Sequence, residues 1–176
     1  ASHVGDELNR VRLHSAFAEG SYVGNKFLAS FIRDIQNVST LKELPSLYKS
    51  GQANWDNNRY ELSFLFHNTK DVLSFFAPGA YIADSTALSM KITADGQMKA
   101  NVKSGRIALK DKYLKGIKLS ADNASGKLGG VMTVGELSAG PIKTMANKLS
   151  FNADADSLSV DFSYDNKTEL ENRGVI

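Results

Sequence analysis

The chain has 176 residues, 42% of them hydrophobic and 23% charged, with a formal net charge of +2. These are globular values, which exclude a disordered or fibrous chain, and the interleaving of Lys and Arg with Asp and Glu excludes the basic stripe of a nucleic-acid binder. There is no cysteine, which excludes disulfides, thiolate zinc sites and cysteine nucleophiles together.

The first element is a predicted strand. Val11, Leu13, Ser15 and Phe17 alternate with Arg12, His14 and Ala16, the period of a strand with one dry and one wet face. From 25 to 50 the spacing changes, and Leu28, Phe31, Ile32, Ile35 and Val38 fall at helical intervals. Thr40 and Glu43 suit a capping box for a second short helix, which Pro45 disturbs. Asp56-Asn57-Asn58 then precede a strand with Tyr60, Leu62, Phe64 and Phe66 on one side. A third helical piece is predicted from Asn68 to Phe76. Asn68 or Thr69 caps it, Asp71 favours its first turn, and Pro78-Gly79 ends it.

From Thr86 onward the pattern is strand after strand. Leu88, Met90, Ile92 and Ala94 alternate with Ser89, Lys91 and Thr93. Asp95-Gly96 is a hairpin signal, and Met98, Ala100 and Val102 follow it. Ser104-Gly105 and Ser125-Gly126 read as turns. Between and beyond them come Ile107 and Leu109, then Ile117, Leu119 and Ala121, then Leu128, Gly130, Met132 and Val134. The last two strands carry Leu149, Phe151 and Ala153, and Leu158, Val160, Phe162 and Tyr164. Short links favour antiparallel neighbours, hence a meander. The apolar faces need a cover. Three arrangements are open: a closed sandwich, a barrel, or an open curved sheet with an apolar trough. Pattern alone favours an ordinary sandwich or barrel core.

No constellation for catalysis or metal binding emerges, so no enzyme, no cofactor and no metal site is expected. His3, His14 and His67 lack ligand spacing, and there is no G-x-S-x-G elbow. Gly126-Lys127-Leu128-Gly129-Gly130 lacks the order of a phosphate loop and reads as a bend in a strand. Asn152-x-Asp154-x-Asp156 lacks the glycine and distal glutamate of a calcium loop and reads as turn residues. Asn37, Asn123 and Asn166 head glycosylation sequons of a kind that arises by chance. Phe75-Phe76, near Tyr81, is expected to pack the third helix onto the sheet.

No apolar run approaches the roughly 18 residues needed to cross a bilayer as a helix, and residues 1–8 lack the apolar centre of a signal peptide. We read 1–176 as a single β-rich domain that is a piece of a longer protein.

The segment 71–79 (DVLSFFAPG), followed by strands over 87–93 and 97–103, resembles the repeat unit of TamB and AsmA-like proteins. There, short L-x-x-L-x-P elements punctuate long series of amphipathic strands. The segment 149–166 (LSFNADADSLSVDFSYDN) is similar to strands of the Bacteroidota type of TamB-like protein. The resemblance covers most of the chain and rests on sequence style, with the helical stretch over 25–50 departing from it. It implies a sheet curled into an open, taco-like trough with a few short helices in the N-terminal half. It also implies a periplasmic location, with a parent anchored in the inner membrane of a Gram-negative bacterium. The implied role is outer-membrane biogenesis, by phospholipid transport or by assembly of outer-membrane proteins with an Omp85-type partner. On this reading acyl chains lie against Leu88, Met90, Ile92, Met98, Val102, Ile107, Leu109, Ile117, Leu119, Leu149, Phe151, Val160 and Phe162. The alternative is a β-sandwich interaction or structural module with no lipid cargo.

Overall fold

The computed structural model describes residues 8–30, 59–124, 127–154, 157–165 and 172–175. Their strands are β1 (Asn9–His14), β2 (Ala18–Gly24), β3 (Tyr60–Phe66), β4 (Ala80–Ile82), β5 (Thr86–Ile92), β6 (Met98–Leu109), β7 (Lys112–Asp122), β8 (Leu128–Ala139), β9 (Ile142–Asp154), β10 (Ser157–Asp165) and β11 (Asn172–Val175). A short helix, α1 (Lys70–Phe76), lies between β3 and β4. The helical spacing through Phe31, Ile32, Ile35 and Val38 and the Thr40–Glu43 box lie outside the described residues, although 28–30 are helical.

All eleven strands belong to one antiparallel sheet in the order β1-β2-β3-β5-β6-β7-β8-β9-β10-β11, with β4 pairing the far end of β6. The sheet is open: it is not closed into a barrel. The mainly β meander expected from the alternation is what the chain adopts, and the sheet is unclosed as the family resemblance implies, not the closed barrel that pattern alone allowed.

The strands differ from expectation at three places. The alternation through Ser15 and Phe17 is not one strand. The Ser15 hydroxyl accepts from the Ala18 amide at 3.0 Å and bonds the Ala18 carbonyl at 2.9 Å, which turns β1 into β2. Ser104-Gly105 is not a turn, because β6 runs straight through it. Hairpins close at Lys110, with φ 56°, and at Gly140, with φ 63°, besides the expected one at Asp95-Gly96, where Gly96 has φ 79°.

Register converts the alternation into two faces. One transverse row is Leu13–Gly20–Phe64–Leu88–Val102–Leu119–Met132–Leu149–Phe162, and its neighbour on the same face runs from Tyr22 through Leu62, Met90 and Ala100 to Phe151 and Val160. The opposite face carries Arg12, Ser21, Ser63, Ser89, Asn101 and Ser120 in one row and Lys103, Lys118, Thr133 and Lys148 in the next. The core sits at one side of the apolar face, where Tyr22, Tyr60, Leu62 and Ile92 pack with Leu28, Phe64, Leu88, Met90 and Met98.

Candidate functional site

The sequence-predicted groove residues largely share one face. Leu88, Met90, Ile92, Met98, Val102, Ile117, Leu119, Leu149, Phe151, Val160 and Phe162 all fall on the apolar side by register. Two corrections follow. Ile107 and Leu109 stand on the other side of β6, since Val102 and Ser104 fix the parity and no reversal of register separates them. Ile92 and Ile117 are 1% and 5% exposed, so neither offers a surface to a ligand. Ile92 is a core residue, held among Tyr60, Leu62 and Met98.

What remains open lies toward β6–β10. Val102, Leu119, Met132, Leu149, Phe151 and Val160 are half-buried, and Phe162 is exposed. Among the described residues no second sheet lies over them. Their side chains lean on neighbours: the Phe151 ring lies over Gly130, where an added Cβ would meet the ring at 2.6 Å. Phe162 and Tyr164 stack with centroids 5.4 Å apart.

The apolar face has a defined border. Thr86, Ser104 and Asn147 are buried there and satisfied. Thr86 Oγ1 donates to the Ala83 carbonyl at 2.6 Å and contacts Ser104 Oγ at 2.6 Å. Asn147 Nδ2 donates to the Val134 carbonyl at 3.2 Å. Just beyond, Gly105, Gly116, Gly135 and Ala146 stand opposite one another, and the ladder pairing skips them. Gly116 has φ 62° and Ala146 φ 47°, left-handed positions within β7 and β9, while the register is the same on both sides of this line. Past it the surface is charged. Glu136 accepts from Tyr113 Oη at 2.5 Å, from Lys115 Nζ at 3.2 Å and from Lys143 Nζ at 2.8 Å. Those donors, Lys143 foremost, hold its carboxyl down at about 2. The Arg106 guanidinium lies 4.6 Å from the Tyr113 ring centroid.

A groove of about 910 Å³ crosses β1 to β8 and is lined by three adjacent rows: Arg12, Ser63 and Ser89 in one, Lys103, Lys118 and Thr133 in another, and between them the apolar Leu13, Phe64, Leu88, Val102 and Leu119. Sequence alternation marks the two faces but not this hollow, because curvature leaves no trace in a period of two.

The remaining polar candidates have structural roles. His14 Nδ1 sits 3.6 Å from Glu19 Oε1, and His67 Nε2 lies 3.3 Å from the Ser15 carbonyl. Asn123, head of a sequon, spans a turn: Nδ2 donates to the Gly96 carbonyl at 2.9 Å and Oδ1 accepts from the Met98 amide at 2.7 Å. The other two sequon asparagines and part of the Asn152–Asp156 stretch lie outside the described residues. Among the described residues no three His, Asp or Glu side chains gather to hold a metal, and no helix is long and apolar enough to cross a membrane.

No protein-family model, curated protein or solved structure matches the chain.

Proposed function

We propose that this chain is a segment of a lipid-groove protein of the TamB/AsmA-like kind, holding phospholipid acyl chains without catalysis. The observation that carries this reading is one sheet of eleven strands whose apolar face is packed at β2, β3 and β5 but left half-open over β6–β10. Val102, Leu119, Leu149, Phe151, Val160 and Phe162 are the contact residues. Each methylene laid on such a face contributes about 0.8 kcal/mol, without a directional group, so selectivity among acyl chains is weak. Held in the periplasm by a parent protein, such a face serves outer-membrane biogenesis, either by moving phospholipid or by working with an Omp85-type partner.

The basic residues in the groove's lining favour a second reading, in which Arg12, Lys103 and Lys118 hold an anionic ligand. Photo-crosslinking side chains at Leu149 and Phe162, against Ser120 and Thr133, separate the two. Phospholipid adducts at the first pair alone support the acyl-chain reading. Adducts at the second pair alone, or equally at both, sink it.

A further inference from the structure

The far end of the sheet, built from α1, the β6–β7 turn and the start of β9, exposes more apolar surface than any packing role explains. Phe75 and Phe76 are 79% and 77% exposed, with rings edge-on to each other at 4.9 Å. They do not pack α1 onto the sheet, contrary to the sequence expectation; half-buried Val72 and Leu73 do not recruit them. Leu109 and Ile142 are 57% and 59% exposed. These residues share one end of the molecule. The Gly79 carbonyl accepts from the Lys110 amide at 2.7 Å, which fixes the exit of α1 beside the β6–β7 turn. Leu109 pairs with Lys112 and Ala139 with Ile142 on successive strands, so Leu109 and Ile142 lie about 14 Å apart at ~4.8 Å per strand.

Each protruding apolar residue has a lysine beside it: Lys110 and Lys112 around the β6–β7 turn, Lys143 after Ile142, Lys70 at the start of α1. Asp71 and Asp111 are the carboxylates among them, while Glu136 and Lys143 pair with each other at 2.8 Å and leave Lys70, Lys110 and Lys112 as the cations of the tip. Cations therefore outnumber anions around an apolar tip. A protein partner would meet one continuous packed patch. Here the apolar groups stand on separate protrusions with long cationic stems alongside, which suits a fluid surface of acyl chains beneath anionic phosphates.

We infer that this end of the sheet docks on the surface of an anionic phospholipid bilayer, with Phe75, Phe76, Leu109 and Ile142 entering the acyl boundary and Lys70, Lys110 and Lys112 meeting phosphates. This goes beyond the acyl-chain reading of the open face and does not depend on it. The cysteine-free chain permits a direct test. Single-cysteine variants Phe76→Cys, Leu109→Cys and Ser120→Cys carry a nitrobenzoxadiazole label and meet vesicles of phosphatidylethanolamine and phosphatidylglycerol. Labels at 76 and 109 shift to the blue and are quenched by brominated acyl chains, whereas the label at 120 does neither. In the same assay Lys110→Gln and Lys112→Gln each lower partitioning about fivefold at low salt. Labels at 76 and 109 that ignore vesicles overturn the proposal. So does a shift at all three sites, or one that appears without vesicles as protein concentration rises, which marks self-association. Because the labels report docking and the crosslinkers at Leu149 and Phe162 report acyl contact, either reading can fail alone.

Discussion

The two halves of the apolar face carry the same alternation and meet different fates. On β2, β3 and β5 the face is a finished core, with Tyr60 fully buried and Tyr22, Leu62 and Ile92 close to it. On β8, β9 and β10 the same kind of residues stay half-accessible. The difference lies in side-chain size and cover. Two tyrosines tilt together with centroids 6.2 Å apart, Leu28 comes in from outside the sheet, and glycines at 20 and 24 make room. The distal half lacks such a cap among the described residues. A strand period reports that one face prefers to be dry; only the third dimension decides what keeps it dry.

The largest expected contrast is therefore between truncations in the two halves. Ile92→Ala should lower unfolding free energy by about 2–5 kcal/mol, since the site is closed and leaves a cavity. Val160→Ala should lower it by about 1 kcal/mol or less, because the site is already partly wet. Urea titrations of both variants measure this, and equal losses would mean the distal half is as well packed as the proximal one.

A subtler contrast uses two glycines. In each half a phenylalanine ring lies over the glycine opposite it: Phe64 over Gly20 and Phe151 over Gly130, with an added Cβ at 2.6 Å from the ring in both cases. Phe64 is wedged against the core cluster, so its ring has little freedom to yield. Gly20→Ala should cost about 1–3 kcal/mol, the usual range for overpacking. Phe151 sits on the half-open side, although a Cβ added at Gly130 would also lie 3.0 Å from Ala121 Cβ. Its ring can swing outward, so Gly130→Ala should cost less than Gly20→Ala in the same titration.

This contrast shows what sequence reasoning reaches. The alternation of Leu88, Met90 and Val102 predicts their shared face correctly, because ladder pairing preserves parity from strand to strand. The same reasoning fails at Ser15, where a hydroxyl closes a turn inside an apparently continuous alternation, and at Gly105, where a Ser-Gly pair sits in mid-strand opposite Gly116. That misplaced turn hid the parity of Ile107 and Leu109, which then look like groove residues. Burial of Ile92 was not legible, since it depends on Tyr60 and Leu28 from distant positions. The exposed Phe75 and Phe76 ran against the usual behaviour of aromatic pairs, and nothing local in the sequence signals which way that helix turns them.

The line of Gly105, Gly116, Gly135 and Ala146 separates the apolar face from the charged end, and its backbone is a further place to probe the division. Gly116 has φ 62°, and a Cβ there would come no nearer than 3.6 Å to Gly135. Space is sufficient, so Gly116→Ala should cost about 1–2 kcal/mol from backbone conformation alone. Ala146 already adopts φ 47°, and Ala146→Gly should change stability by under ~1 kcal/mol, in the stabilising direction, because relief of strain outweighs the added freedom of the unfolded chain. A destabilised Ala146→Gly would show that its side chain is needed at this left-handed position.

The smallest effect belongs to the charged end. Three donors lower the Glu136 carboxyl from 4.5 to about 2, Lys143 first, then Tyr113 and Lys115. A group whose folded value is depressed stabilises the fold above its unfolded value, and that contribution is lost as pH falls through the folded one. The loss here falls between pH 4.5 and about 2. Lys143 is raised in turn, mainly by Glu136, so its share is present below 10.5 and fades as pH climbs past that value. Both lysine side chains at this site are well exposed, so solvent and salt screen the network and the effect is modest. Melting temperatures of the parent chain and Glu136→Gln should converge as pH drops through the acidic window and separate above it. The proximal core should be indifferent: Ile92→Ala must shift both melting curves alike throughout the acidic window, because no carboxylate or histidine belongs to its packing cluster. A pH-dependent gap for Ile92→Ala would mean that the charged end and the packed core unfold as one coupled unit across the line of glycines.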